Sequence, residues 1–440
     1  MNIILLSGGS GKRLWPLSNE LRSKQFIKIF KKGDTYESMV QRIYRQIKTV
    51  APNSKITIAT SKSQVSAIKN HLGDNVSVCI EPFRRDTFPA IALASLYMHD
   101  VLNVDVNEPV IICPIDPYVS NSYFQSLEIL EKLVKTGTAC LSLMGIEPTY
   151  PSEKYGYIIP YTSSNVSFVK EFKEKPNLEL AKKYIEKRAL WNAGVFGANL
   201  GYLIDKAKNI LDCTSYIDLF DNFEKTLKIS FDYAVVEKEH SIQVLRYKGE
   251  WKDVGTWNTI SEVMSEKTKG KALMDEFCFN TNIVNELNIP VLCMGTKNLI
   301  VASSCDGILV ADKERSGYMK PYVEKIETDV MYSEKSWGTY SILDIQAGSL
   351  TAQVFLKKSE EMSYHSHTNR KEIYTVIKGK GMAVIDGTKQ YINIGDVLTI
   401  NANSKHTIIA LSDLNLIEVQ IGSEINIKDK IKYKLPIISD

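Results

Sequence analysis

Glycine and basic residues crowd one stretch near the start of the chain: Leu6-Ser7-Gly8-Gly9-Ser10-Gly11-Lys12-Arg13-Leu14-Trp15-Pro16-Leu17-Ser18, followed by Lys24-Gln25-Phe26. Gly8, Gly9 and Gly11 let the backbone approach a phosphate closely and turn its N–H groups toward it. Lys12, Arg13 and Lys24 can then offset the charge on its oxygens. Nucleotidyl transfer needs little covalent help from a protein, but it does need close positioning and stabilised charge on phosphorus-bound oxygens. The glycine spacing is neither the Gly-x-Gly-x-x-Gly of dinucleotide folds nor the Gly-x-x-x-x-Gly-Lys-Ser/Thr of P-loops. A tight strand-to-loop connection is the plainer reading of such glycines; the adjoining cations and the Leu-Trp-Pro-Leu-Ser tail weigh against it.

A second constellation lies near the other end. Three of the six histidines fall at His365, His367 and His406, with Glu372 between them. Alternate residues on a strand face the same side, so His365 and His367 can point together. Three imidazoles and a carboxylate suit Zn²⁺, Fe²⁺ or Mn²⁺.

These groups need a scaffold. Apolar runs at 3–6, 55–59, 77–80 and 110–114 predict strands, while 36–50, 63–72 and 89–100 carry apolar positions at helical spacing. The alternation predicts an α/β fold, a Rossmann-like, mainly parallel sheet covered on both faces. Beyond residue 265 the chain turns β-rich, with a helix expected over 318–326. From residue 337 onward many short strands bounded by turns, such as Lys378-Gly379-Lys380-Gly381 and Asp386-Gly387, predict an antiparallel barrel.

At 440 residues, two or three domains are expected. A net charge of +3 is too small to argue for a nucleic-acid or membrane partner, so any anion site must be local. The N-terminus lacks the basic and apolar regions of a signal peptide, and no run is long enough for a membrane span. Seven scattered cysteines without a Cys-x-x-Cys pair suggest free thiols, and with them a cytoplasmic location.

Gly-Gly-x-Gly-x-Arg-Leu-Trp-Pro-Leu-Ser followed by Lys-Gln-Phe resembles the signature of the mannose-1-phosphate guanylyltransferases, within the wider sugar-phosphate nucleotidyltransferases. The resemblance implies that Arg13 and Lys24 bind the triphosphate and support its cleavage, within a nucleotide loop of Leu6, Gly8, Gly9, Gly11 and Lys12. Glu81-Pro82-Phe83-Arg84-Arg85-Asp86-Thr87-Phe88-Pro89 resembles the block lining the base and ribose, which implies nucleotide contacts at Glu81, Arg85, Asp86, Thr87 and Pro89. Asp86 stands where the family has Asn, and an ionised Asp accepts but cannot donate. Asp116, in Cys113-Pro114-Ile115-Asp116-Pro117, and Asp253, in Trp251-Lys252-Asp253-Val254-Gly255-Thr256-Trp257, match the positions of two Mg²⁺ ligands; Pro117 replaces a histidine. The sugar phosphate is expected at Gly156 and Tyr157, at Glu174 and Lys175 (in Phe172-Lys173-Glu174-Lys175-Pro176), and at Asn192 (in Trp191-Asn192-Ala193-Gly194). Asp232 is read equally as a sugar contact or a helix cap.

The histidine cluster resembles the cupin metal site, and Ser336-Trp337-Gly338-Thr339-Tyr340 resembles the segment that opens a C-terminal cupin in bifunctional members. That implies a second activity, interconversion of mannose 6-phosphate and fructose 6-phosphate. Here His-x-His-x₄-Glu-Ile-Tyr stands in place of the usual His-x-His-Arg-x-Glu-His-Trp. The expected organisation is a nucleotidyltransferase domain over 1–265, a β-rich connector over 266–330 and a cupin over 331–440. The expected reaction makes GDP-mannose and pyrophosphate from GTP and mannose 1-phosphate, with Mg²⁺ at one site and Zn²⁺ or another divalent transition metal at the other. A homodimer is expected. Two alternatives stay open: the same chemistry on another nucleotide such as CTP, or a non-catalytic sensor of sugar nucleotides.

Overall fold

The computed structural model describes residues 1–8, 11–326, 329–423, 425 and 429–435, with the Lys12 side chain also outside the description. The chain forms two compact units. The first comprises Met1–Gly9, Gln25–Val65 and His71–Ser265; the second comprises Ser10–Lys24, Ser66–Asn70 and Glu266–Asp440.

A nine-stranded sheet organises the first unit. Its parallel run joins Ser77–Glu81, Lys55–Ser61, Asn2–Ser7 and Pro109–Pro114. Asn2–Ser7 lies in the middle, with Ile3, Ile4 and Leu5 fully buried, as expected for a strand covered on both faces. Beyond Pro109–Pro114 the sheet turns mixed, because Leu190–Asn199 runs antiparallel to both Pro109–Pro114 and Leu141–Ile146. A parallel strand must leave functional residues at its carboxyl end, whereas this reversed strand delivers its first residues there. Asn192 reaches the same end of the sheet as Asp116 by this reversal.

Local chemistry sets the helix starts. The helix predicted from residue 36 begins at Met39, because Ser38 and Gln41 form a capping box, while Thr35–Glu37 pairs with Phe30–Lys32. Thr87–Asp100 starts two residues ahead of the expected Pro89, capped by Asp86.

In the second unit, Thr268–Lys269, Asn282–Asn285 and Leu299–Ser304 stack in parallel, as do Ala272–Met274 and Val291–Cys293. Successive turns of chain therefore coil on one another around Ile283, Cys293 and Val301. The helix expected over 318–326 is reduced to a 3-10 turn, Arg315–Tyr318, and a single turn, Lys320–Val323, with Pro321 in its first turn. Two antiparallel sheets of six and five strands then enclose a core that includes Val354, Tyr374, Ile400 and Leu416. Asp386 and Gly387, both at positive φ, make the two-residue hairpin between Gly381–Ile385 and Thr388–Ile392.

Gly270 turns a corner of the coil at φ +84°, where an added methyl would run into the Asn285 carbonyl. A methyl on Gly8 would meet nothing within 4 Å. Gly270→Ala should therefore cost about 2–3 kcal/mol in urea denaturation, and Gly8→Ala less than about 0.5 kcal/mol. Equal stability losses would contradict this assignment of Gly270 to folding and Gly8 to ligand approach.

Candidate functional sites

In the first unit the carboxyl ends of the strands gather acids. Pro117–Val119 pairs antiparallel with Trp251–Asp253, placing Asp253 opposite Pro117 and so beside Asp116. Two acids far apart in sequence are thus joined by one short ribbon. Gly255 leaves room for the Asp253 carboxylate, since a methyl there would lie 3.2 Å from its Oδ1.

A second group forms around Gly156. Glu174 is buried, with Lys175 Nζ 2.7 Å from its Oε1. Its Oε2 has no partner among the described residues and faces Gly156, where a methyl would lie 2.5 Å away. The Asn192 amide donates to Asp232 Oδ1 at 2.7 Å, and the Asn192 backbone N–H donates to the Gly156 carbonyl at 2.8 Å. Burial, followed by the Glu174 charge, pushes Asp232 up to about 7. Ser230 caps the turn Phe231–Ala234, so Asp232 is not the cap. Two acids, a lysine and an amide thus form one cluster rich in acceptors. Tyr155 packs on Trp191 and Trp251, linking this cluster to the Asp253 ribbon. The buried indole nitrogens of Trp191 and Trp251 have no hydrogen-bond partner among the described residues. These aromatic neighbours were missed from sequence, although each flanks a residue singled out there.

Several of the expected contact residues also bond within the chain. The Tyr157 ring is buried and its hydroxyl accepts from Ser152 N at 2.9 Å. Thr87 Oγ1 accepts from Phe231 N at 2.9 Å, and Pro89 is buried in its helix. Arg85 Nη2 donates to the Glu224 carbonyl. The Leu6 carbonyl accepts from Ile115 N. Asp86 holds φ 71° and ψ −176°, a region that side chains rarely adopt, with its carboxylate accepting from Thr87 N at 2.8 Å. Burial pushes Glu81 up to about 7 despite Arg84. The start of the glycine loop is fixed by Gln25, whose amide donates to Ser7 Oγ and to Gln64 Oε1, both at 3.2 Å. Gly9 and the Lys12 side chain lie outside the described residues; Gly8 is exposed.

In the second unit Arg13 is exposed on the 3-10 turn Gly11–Leu14, and Lys24 opens another, Lys24–Phe26. The four expected cupin ligands come together: His365, His367, Glu372 and His406 are buried, with their ligand atoms all within 4.8 Å of one another. His365 lies opposite His406 in register, so both face the same side of their sheet. Each Nδ1 meets a backbone carbonyl, of Ser363 at 2.6 Å, of Asp429 at 2.6 Å and of Ser404 at 3.0 Å. A carbonyl only accepts, so Nδ1 carries the proton and the Nε2 lone pair is left for a metal. Burial holds His365 down to about 2 and keeps it neutral. The Glu372 carboxylate oxygens lie 3.1 Å from His367 Nε2 and from His406 Nε2. The donor set fits a divalent transition metal.

Around the ligands stand residues that the sequence reading passed over. The Arg370 guanidinium reaches Glu372 Oε1 and His367 Nε2, both at 3.1 Å, and the Tyr374 hydroxyl donates to Glu372 Oε2 at 2.8 Å. Arg370, Glu372 and Tyr374 alternate along one strand, a period-two signal present in the sequence. Glu418 faces the same interior; burial and the Glu372 charge push it up to about 8.

Residues 2–270 match the nucleotidyl transferase family, and residues 324–434 match the mannose-6-phosphate isomerase C-terminal family. The mannose-1-phosphate guanylyltransferase ManC of Salmonella typhimurium (strain LT2) is 26% identical over 98% of this chain and 97% of its own. The Xanthan biosynthesis protein XanB of Xanthomonas campestris pv. campestris (strain B100) is 26% identical, also over 98% of this chain and 97% of its own. A crystal structure from Thermus thermophilus, described as a mannose-1-phosphate geranyltransferase, is 25% identical with a TM-score of 0.63, covering 74% of this chain and 99% of its own. Matched over more than half its length by one family, the chain belongs to the nucleotidyl transferases.

Proposed function

We propose that this nucleotidyl transferase joins mannose 1-phosphate to GTP, forming GDP-mannose and releasing pyrophosphate. The observation that carries the reading is the ribbon that sets Asp253 beside Asp116, supported by the full-length similarity to mannose-1-phosphate guanylyltransferases. A phosphate oxygen of the sugar attacks the α-phosphorus of the nucleotide in line, and the bond to the β-phosphate breaks. Arg13 and Lys24 offset charge on the triphosphate and the departing pyrophosphate. Asp116 and Asp253 offer the oxygen ligands that Mg²⁺ takes, and the ion when bound neutralises phosphate charge. Glu174 and Asp232 accept from sugar hydroxyls, Asn192 orients Asp232, and Lys175 pairs with the sugar phosphate.

The cupin cluster supports a second activity in the same chain, interconversion of an aldose and a ketose 6-phosphate. His365, His367, His406 and Glu372 would hold Zn²⁺ or a related ion, which when bound polarises substrate oxygens; Arg370 and Tyr374 orient Glu372. A boundary at residue 265 is supported by the break between compact units at Ser265 and Glu266, while residues 10–24 and 66–70 group with the second unit. No helix among the described residues is long and apolar enough to cross a membrane. Seven unpaired cysteines support a cytoplasmic location, and exposed Leu273 and Leu292, neighbours across the coil, support a homodimer.

Pyrophosphate release should appear with GTP and mannose 1-phosphate and fall at least ~100-fold in Arg13→Ala and Asp253→Ala. Turnover with CTP in preference to GTP would overturn the nucleotide assignment, and no turnover with any pair would overturn the reaction. His367→Ala should lose the transition metal found by mass spectrometry in the wild type, while pyrophosphate release stays within about twofold of wild type. Retained metal would contradict the cupin ligand set.

A further inference from the structure

Resting on that reading, we propose that Arg22 is a positioning residue for triphosphate binding: its guanidinium, forked onto Glu286 and seated under Tyr332, fixes the segment from which Arg13 and Lys24 extend. Arg22 is only 5% exposed. Its Nη1 and Nη2 donate to Glu286 Oε2 and Oε1 at 2.7 and 3.2 Å, and its Nε faces Glu334 Oε1 at 3.5 Å. The guanidinium carbon lies 4.9 Å from the centre of the Tyr332 ring. Lys269 Nζ completes the Glu286 carboxylate at 3.3 Å. Glu286 is held below its usual range; burial opposes this, and Arg22 more than reverses it.

The same segment is tied down at further points within this unit. Asn19 Nδ2 donates to Asp306 Oδ2 at 2.6 Å and to the Tyr332 carbonyl at 3.1 Å, while Asn19 Oδ1 accepts from Leu21 N and Arg22 N at 2.8 and 2.7 Å. Asp306 Oδ1 in turn accepts from Met331 N at 2.7 Å. Ser304 Oγ donates to the Pro16 carbonyl at 2.7 Å, and Leu14 N donates to Ser18 Oγ at 3.2 Å. Gly307 leaves room for the Trp15 ring. The turn bearing Arg13 is therefore fastened just downstream, at Pro16 and Asn19. Lys24 leaves the clamp one residue after Ser23, which adjoins Arg22.

A bidentate guanidinium–carboxylate pair fixes orientation as well as distance. Generic packing at Arg22 would tolerate any side chain of similar volume, whereas positioning requires the fork. Glu286, which follows the strand Asn282–Asn285 of the coil, and Glu334, in the first barrel strand Tyr332–Lys335, thereby hold the segment that carries Arg13 and Lys24.

The full-length chain carrying Arg22→Met, Arg22→Lys or Glu286→Gln tests this by steady-state kinetics and by calorimetric titration with GTP. Arg22→Met should raise KM for GTP by at least ~10-fold and leave KM for mannose 1-phosphate within twofold; Arg22→Lys should fall between, and Glu286→Gln should mimic Arg22→Met. A drop in kcat with both KM values unchanged, as loss of folded protein would give, overturns the proposal. If Arg22→Met does not fold, the Glu286→Gln result decides. If wild type binds GTP without turnover, the reaction assigned above fails while the GTP titrations still judge the clamp. If wild type does not bind GTP, both fail.

Discussion

A buried charge must be compensated where it stands, and that requirement shapes every functional part of this chain. Taking a carboxylate out of water costs several kcal/mol unless hydrogen bonds and opposite charges repay it. Glu372 is repaid by the Arg370 guanidinium and the Tyr374 hydroxyl, which donate to its two oxygens. Glu286 is repaid by Arg22 and Lys269. Asp232 is repaid only in part, by Asn192 and Lys175, and its proton is held to about 7 as a result. Glu174 keeps one oxygen without a partner among the described residues. Asp232 and Glu174 mark where a polar ligand would complete the set.

The two halves meet this requirement with different backbones. In the first unit, acids are placed at the carboxyl ends of strands, where the sheet stops and side chains can converge. The reversed strand Leu190–Asn199 and the ribbon of Pro117–Val119 with Trp251–Asp253 bring in residues that parallel order alone would leave elsewhere. In the barrel, strand alternation does the same work: every second residue from Arg370 to Val376 is buried, so Arg370, Glu372 and Tyr374 form one polar row.

Legibility in the sequence followed the range of the interactions. The opening strand is a local pattern, expected over 3–6 and found at Asn2–Ser7. Ser38 and Asp86 shifted helix starts because a single cap outweighs the propensity of its neighbours. The coil was readable only as scattered strands, since its parallel stacking joins residues a full turn apart, such as Asn282 and Ile300. Arg22 gave no signal: its partners, Glu286 and Glu334, lie hundreds of positions away and belong to no local pattern. The hydrogen bonds from Ser152 N to the Tyr157 hydroxyl and from Phe231 N to Thr87 Oγ1 carried no signal in the sequence.

The central claim is that Asp116 and Asp253 together hold the divalent ion of the nucleotide. Mn²⁺ in place of Mg²⁺ makes that ion visible to electron paramagnetic resonance. Titrated with and without GTP, the wild type should show a tight Mn²⁺ equivalent that appears only when nucleotide is present, and Asp116→Asn with Asp253→Asn should abolish it. The same nucleotide-dependent equivalent surviving in the double variant would contradict the account.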